Sequence, residues 1–373
     1  KYAIKPKSAG IVGKVNGREL TFTLKSPQKL YVEINDLAHL AIFANPLEVK
    51  KVKKGDEGVI YYEQGFHNVG QIDLKSDQTI YIAAGAVVKA NIRGTNVENV
   101  KILGRGILNG NMRISLSKNI EVDGIFMRST NGWTNTISEC QHSIYNNVKI
   151  FTYRTVWGID GINPVSCKDF LINDCFIRTR DDCIAIKSLA GTPRNLVKDI
   201  NTDSITITNN LLVGWEHADG VTLGFELQGG VVQNILVKNC DILRARGQGS
   251  SGGHAAFGIV CDGPSMVKNI RFEDIRVEGE IEYKNLEIIV TEGRRCGSAG
   301  PGNIVGVYLK NISWENTGKP FVIAGVPKNF VEDVTFDNCY LGGKLLTSIK
   351  DADFQTEFAK DIKFVSTLSS TKK

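Results

Sequence analysis

The sequence predicts an all-β protein: a right-handed parallel β-helix of about nine or ten coils, preceded by a small N-terminal β-sandwich. Three observations lead there. From about residue 76 a β-turn-β unit recurs every 20 to 37 residues. No helical periodicity of useful length separates the strands, which excludes a βαβ sheet. Gly is abundant (38) and Pro scarce (9), which suits many turns and few rigid kinks.

Residues 1–75 read as the sandwich. Alternating runs such as Leu20–Leu24, Leu30–Ile34 and Leu40–Ala44 are separated by turn clusters, including Asn16-Gly17 and Ser26-Pro27. Period-two alternation with frequent turns indicates short antiparallel strands, each with one face buried.

Residues 76–373 read as the β-helix. Its units open at Asn99, Asn119, Ser143, Asp169, Ser204, Asn234, Asn269, Gly306 and Val331. Each runs through alternating β-branched residues, turns at Asn or Asp, and resumes with a second short strand. A single unit cannot bury its apolar side, whereas stacked coils bury it continuously. Longer insertions follow residue 180, and such insertions form loops on one side of a solenoid, where function resides.

The stretch Asp160–Lys187 carries the chemistry. Asp160 precedes the adjacent pair Asp181 and Asp182 by 21 residues, close to one coil. Equivalent points on neighbouring coils lie about 4.8 Å apart, so Asp160 should meet the pair. Clustered carboxyls repel, and their pKa values separate into a protonated acid and an ionised base. Glycoside hydrolysis needs that division. In a strict strand the pair would point to opposite faces, so both can face one cleft only at a bend.

Composition narrows the partners. The net charge of +5 comes from scattered Lys and Arg, and no basic stripe with interleaved aromatics marks a nucleic-acid binder. No run of 18 apolar residues is present, so no membrane-spanning helix is expected. The eight cysteines form no CxxC or zinc-type spacing, so no metal or cofactor is expected. Cys175, Cys240 and Cys339 recur in matching contexts, as interior packing thiols would. The chain opens on Lys1-Tyr2 with no signal peptide, as a cytosolic protein or a mature secreted one would.

Asp160-Gly-Ile-Asn163 followed by Asp181-Asp-Cys-Ile-Ala-Ile-Lys-Ser188 resembles the signature of the polygalacturonase-like glycoside hydrolases, family 28. The resemblance implies an inverting hydrolase acting on a pectic polysaccharide or oligosaccharide. Asp181 would then be the general acid, and Asp160 with Asp182 would hold and activate water. It also implies a secreted or periplasmic monomer. Two family segments are altered. The Gly-His-Gly segment reads Glu216-His217-Ala218, and the Arg-Ile-Lys segment, associated with the substrate carboxylate, is replaced around Phe257–Asp262. Arg178, Arg180, Lys187, Arg244 or Arg246 are candidate substitutes. The N-terminal sandwich and the missing basic pair also resemble the dextranase and isopullulanase group, family 49, whose substrates are neutral α-glucans.

Further substrate-binding candidates are His217 and Lys187, and the indoles Trp157 and Trp215, whose faces suit the apolar faces of sugars. His254 sits in a glycine-rich loop. Two readings of other classes stay open: a polysaccharide lyase, and a non-catalytic carbohydrate-binding β-helix.

Overall fold

A computed structural model describes the chain except residues 36, 38, 50–51, 130–131, 153–157, 190–200, 216, 246–254, 293–299 and 368–373. Two compact units divide at Val52/Lys53. The first holds a three-stranded antiparallel sheet, with Gln28–Ile34 between Tyr2–Lys5 and Leu40–Ala44, and a hairpin of Lys14–Asn16 with Glu19–Thr21. Leu30, Tyr31 and Val32 of the central strand are buried. The alternating run from Leu20 pairs only as far as Thr21.

The boundary falls well before residue 75. Val59–Tyr62 pairs in parallel with Thr79–Ile82, and Gly65–Asp73 pairs in parallel with Ala86–Thr95. Both strands are therefore coils of the second unit. Alternation marks a half-buried strand but does not say whether its partner runs parallel or antiparallel.

The second unit is a parallel β-helix. One sheet stacks twelve strands, from Val59–Tyr62 to Ala359–Val365. Two more parallel ladders run beside it. One includes Phe126–Ser129, Lys149–Thr152, Phe176–Thr179 and Leu211–Gly214; the other includes Asn135–Ser138, Ile162–Val165, Ile184–Ser188 and Val221–Leu227.

The core follows from alternation. Ile102, Val122, Tyr145, Ile172, Ile207, Val237, Phe272, Leu309 and Phe336 are in register on successive coils, and each is buried. The seven described cysteines are buried thiols, with no disulfide among them. Burial pushes the thiols of Cys183 and Cys240 up to about 12, which suits packing rather than reactivity. Cys296 lies outside the described residues.

The polar residue near the start of each unit has a backbone cause. Asn99, Asn119, Asp169, Ser204, Asn234 and Asn269 take positive φ, between 53° and 57°. Short polar side chains tolerate that region, and β-branched ones do not. His142 and Asp333, rather than Ser143 and Val331, hold the position in their coils. At the following turn Asn209 and Asn239 have φ of 59° and 50°. Their side-chain amides continue a hydrogen-bonded ladder: Asn173 donates to Asn146, Asn209 to Asn173 and Asn239 to Asn209, each at 2.7 Å.

Candidate active site

The candidate catalytic side chains leave the coil just before the strands Ile162–Val165, Ile184–Ser188 and Val221–Leu227. Ile162 pairs with Ile184 and Ile184 with Val221. Asp160, Asp182 and Asp219, each two residues before one of these, therefore occupy equivalent places on successive coils. Backbone bonds link them: the Gly161 N–H donates to the Asp182 carbonyl, and the Cys183 N–H to the Asp219 carbonyl.

Asp181 joins them because the chain bends at residues 180–183. Its Oδ1 accepts the Asp182 N–H at 3.0 Å and its Oδ2 the Gly158 N–H at 3.1 Å. Carboxylate oxygens of Asp160, Asp181 and Asp182 all lie within 4.8 Å of one another. Asp160 and Asp182 are buried, while Asp181 is partly exposed. The one-coil spacing thus gathers all three carboxyls into one cluster.

Burial raises the Asp160 pKa well above the usual carboxylate range; Asp181, and then Asp182 and Glu226, push the same way, with Lys187 opposing them. Lys187 is itself buried, with Nζ 2.6 Å from Glu226 Oε2 and 4.0 Å from Asp160 Oδ2. Burial pulls its pKa down, but Glu226, then Asp160 and Asp182, outweigh burial, and the ammonium stays charged. Three carboxyls this close can grip a cation. The ammonium beside Asp160 already supplies that charge and would repel a second one, so the donor set fits proton chemistry better than a metal.

The other candidates separate. Lys187 is held within the protein by Glu226, with its ammonium toward Asp160, and lies 4.6 Å from the centroid of the Trp133 ring. His217 is buried one coil beyond the acids, and its backbone N–H donates to the Arg180 carbonyl at 2.9 Å. Trp215 is engaged by arginines: Arg178 Cζ lies 5.0 Å and Arg244 Cζ 3.9 Å from its ring centroid. Trp157, Arg246 and His254 lie outside the described residues.

Three residues escaped the sequence reading. Asp219 donates its N–H to Asp182 Oδ1 at 2.9 Å and accepts the Ala255 N–H at 3.0 Å. Its signal was present: Asp219-Gly220 repeats Asp160-Gly161. A Cβ on Gly161 would lie 2.3 Å from the Cys183 carbonyl oxygen, and one on Gly220 2.8 Å from that of Ala256, so both steps need glycine. Glu226 and Trp133 carried no such signal, since only the stacking brings them to Lys187.

The coil thus brings the carboxylate cluster and the lysine clamp together in one candidate site. A family model described as glycosyl hydrolases family 28 matches residues 107–358, well over half of the chain, and the chain belongs to that family. Among curated relatives, the protein named probable endo-xylogalacturonan hydrolase A of Aspergillus fumigatus is 24% identical over 219 residues, covering 55% of this chain and 49% of its own. The chain spans half or less of the length of the curated relatives it matches. Among solved structures, the exopolygalacturonase of Thermotoga maritima superposes with a TM-score of 0.66 at 18% identity, covering 83% of this chain and 84% of that one. Dex49A of Penicillium minioluteum superposes at 0.61 with 13% identity, covering 97% and 78%. These likenesses are of fold, and they give the helix its right-handed sense.

Proposed function

We propose that the protein hydrolyses O-glycosidic bonds in a pectic polysaccharide, outside the cytoplasm where such polymers occur. The observation that carries the reading is the gathering of Asp160, Asp181 and Asp182 within 4.8 Å at one bend of the coil. Asp181, the most exposed of the three, donates a proton to the leaving oxygen. Asp160 and Asp182, buried side by side on adjacent coils, hold and deprotonate the attacking water. In the empty site burial and the neighbouring carboxylates favour the protonated form of Asp160, which must lose that proton before it serves as base.

Inversion follows the roles that the family resemblance implies. The spacing favours a second reading, since water-spaced pairs ordinarily stand about 6.5–9.5 Å apart and nucleophile pairs about 5–5.5 Å. Proton NMR of the first-formed anomer decides between them. A neutral α-glucan is the alternative substrate, supported by the Phe257-Gly-Ile sequence where the basic pair is expected.

The test is reducing-end release by wild type, Asp181→Asn and Asp182→Asn on polygalacturonate, dextran and pullulan. Turnover of polygalacturonate that collapses in both variants is expected. Equal turnover by all three proteins would sink the hydrolase reading.

A further inference from the structure

Four successive coils of the β-helix before the acids line a cavity of about 640 Å³. Its lining includes Lys89, Arg93 and Arg113, with Asn91, Asn109 and Asn111, and no acidic residue among the described residues. That volume suits a small-molecule or sugar site. The cations are placed by the coil. Arg93 pairs in register with Arg113, Arg113 with Thr136, and Thr136 with Asn163, three residues past Asp160. Ile92, Met112 and Ile114 flank them and point into the core, so period two turns Arg93 and Arg113 outward. Among the described residues no carboxylate lies at ion-pair distance from Lys89, Arg93 or Arg113, although Asp73 is the in-register neighbour of Arg93 on the preceding coil; Lys187 and Arg244, by contrast, are held by Glu226 and Glu280.

The cavity and the acids share one face. The floor is nearly bare of side chains: Gly70 pairs with Ala90, and a Cβ on Gly110 would lie 1.9 Å from the Ala90 carbonyl oxygen. Gly132 lines the cavity. Its neighbour Trp133 lies over Lys187, which reaches Asp160. At about 4.8 Å per coil, Arg113 stands two coils and Arg93 three coils from the coil of Asp160. That is a sugar roughly two or three units from the bond being cut, taking one coil per unit.

We infer that Lys89, Arg93 and Arg113 form a subsite for the carboxylate of a uronosyl unit, remote from the scissile bond. The inference rests on the proposed hydrolase function and deepens it by naming the acidic sugar. The residues around Phe257–Asp262 lack the basic pair, and these cations supply the missing charge on the opposite side of the acids. A guanidinium pair takes a planar carboxylate through two parallel hydrogen bonds, and a neutral glucan offers neither the charge nor the acceptor geometry.

The experiment measures reducing-end kinetics of wild type, Arg93→Gln, Arg113→Gln and the double variant on polygalacturonate, its methyl ester and dextran. Direct titration of Asp181→Asn, with and without the two arginine changes, uses a galacturonate hexamer. The subsite predicts a rise in KM on polygalacturonate of about tenfold per arginine, with kcat changed less than about twofold. KM on the methyl ester should not move, and Arg113→Lys should recover part of the loss. Added salt should weaken wild-type binding of the hexamer and affect the double variant less. Unchanged melting temperatures keep a folding defect from imitating the result.

Cleavage of polygalacturonate with the same KM in all variants overturns the subsite and leaves the hydrolase standing. So does cleavage of dextran alone. Arginine-dependent binding of the hexamer without cleavage of any glycan supports the subsite and overturns the hydrolase. Neither cleavage nor binding overturns both.

Discussion

The Lys187 ammonium lies 2.6 Å from Glu226 and 4.0 Å from Asp160, so Glu226 holds the positive charge that would otherwise act fully on the carboxylate cluster. Asp160, Asp181, Asp182 and Glu226 are the charged groups acting on one another around that ammonium. Removing the two members of the pair should have opposite effects. Lys187→Met leaves Asp160 without its counter-charge and raises its pKa further. Glu226→Gln removes a nearby negative charge, frees the ammonium and lowers it. With Asp160 as part of the base, the acid limb of kcat/KM moves to higher pH in the first variant and to lower pH in the second. Shifts of the same sign in both would show a merely structural role.

Each carboxyl of the cluster is expected to be needed for chemistry. Asp160→Asn, Asp181→Asn and Asp182→Asn should each lower kcat by about 10²- to 10⁴-fold, the range of general acid–base catalysis. The double variant of Asp181 and Asp182 should fall little below the worse single one, since residues acting as a unit are not additive. Initial rates on the substrate that wild type turns over provide the check.

The same cluster should reduce stability at neutral pH. Asp160 has a folded pKa raised above its unfolded value. Its contribution to stability is therefore full below the unfolded pKa and is lost as pH rises through the folded one. Asp160→Asn removes that dependence. Its melting temperature should exceed that of wild type at pH 8, and the gain should vanish near pH 4. A gain that persists in acid would assign the effect to something other than this titration.

Asn209 tests the backbone argument. It takes φ of 59° and bonds to Asn173 below and Asn239 above. Asn209→Gly keeps the conformation and loses only the ladder, whereas Asn209→Val also forces a β-branched residue into the left-handed region. Chemical denaturation should show valine less stable than glycine by about 1–2 kcal/mol.

Phe272 tests the stacked core. It is fully buried and in register with Val237 and Leu309. Phe272→Ala should cost about 3–5 kcal/mol by leaving a cavity between coils.

Much of the architecture was legible because a solenoid repeats its constraints. Asn or Asp at each turn and alternating β-branched residues in each strand are local requirements of backbone and burial, so they appear in the chain as a period. Asp160 and Asp181 were legible for the same reason, since a 21-residue spacing becomes adjacency when one coil is about that long. The start of the β-helix was not legible. The strand Val59–Tyr62 is a short run of apolar and aromatic residues that either unit could use, and only its parallel pairing with Thr79–Ile82 assigns it to the second unit.

The sequence alone determined the repeating coil, its buried columns and the three aspartates, because those depend on periodicities of two and of one turn of the solenoid. Only the tertiary structure decided what surrounds the acids. Glu226 reaches Lys187 from 39 residues away, Trp133 covers it from 54 residues earlier, and Arg93 meets Arg113 through inter-strand register. Insertions of unequal length separate these residues, so no fixed period records their contact. Charge and burial act through space, and that is why the tuning of the site belongs to the fold.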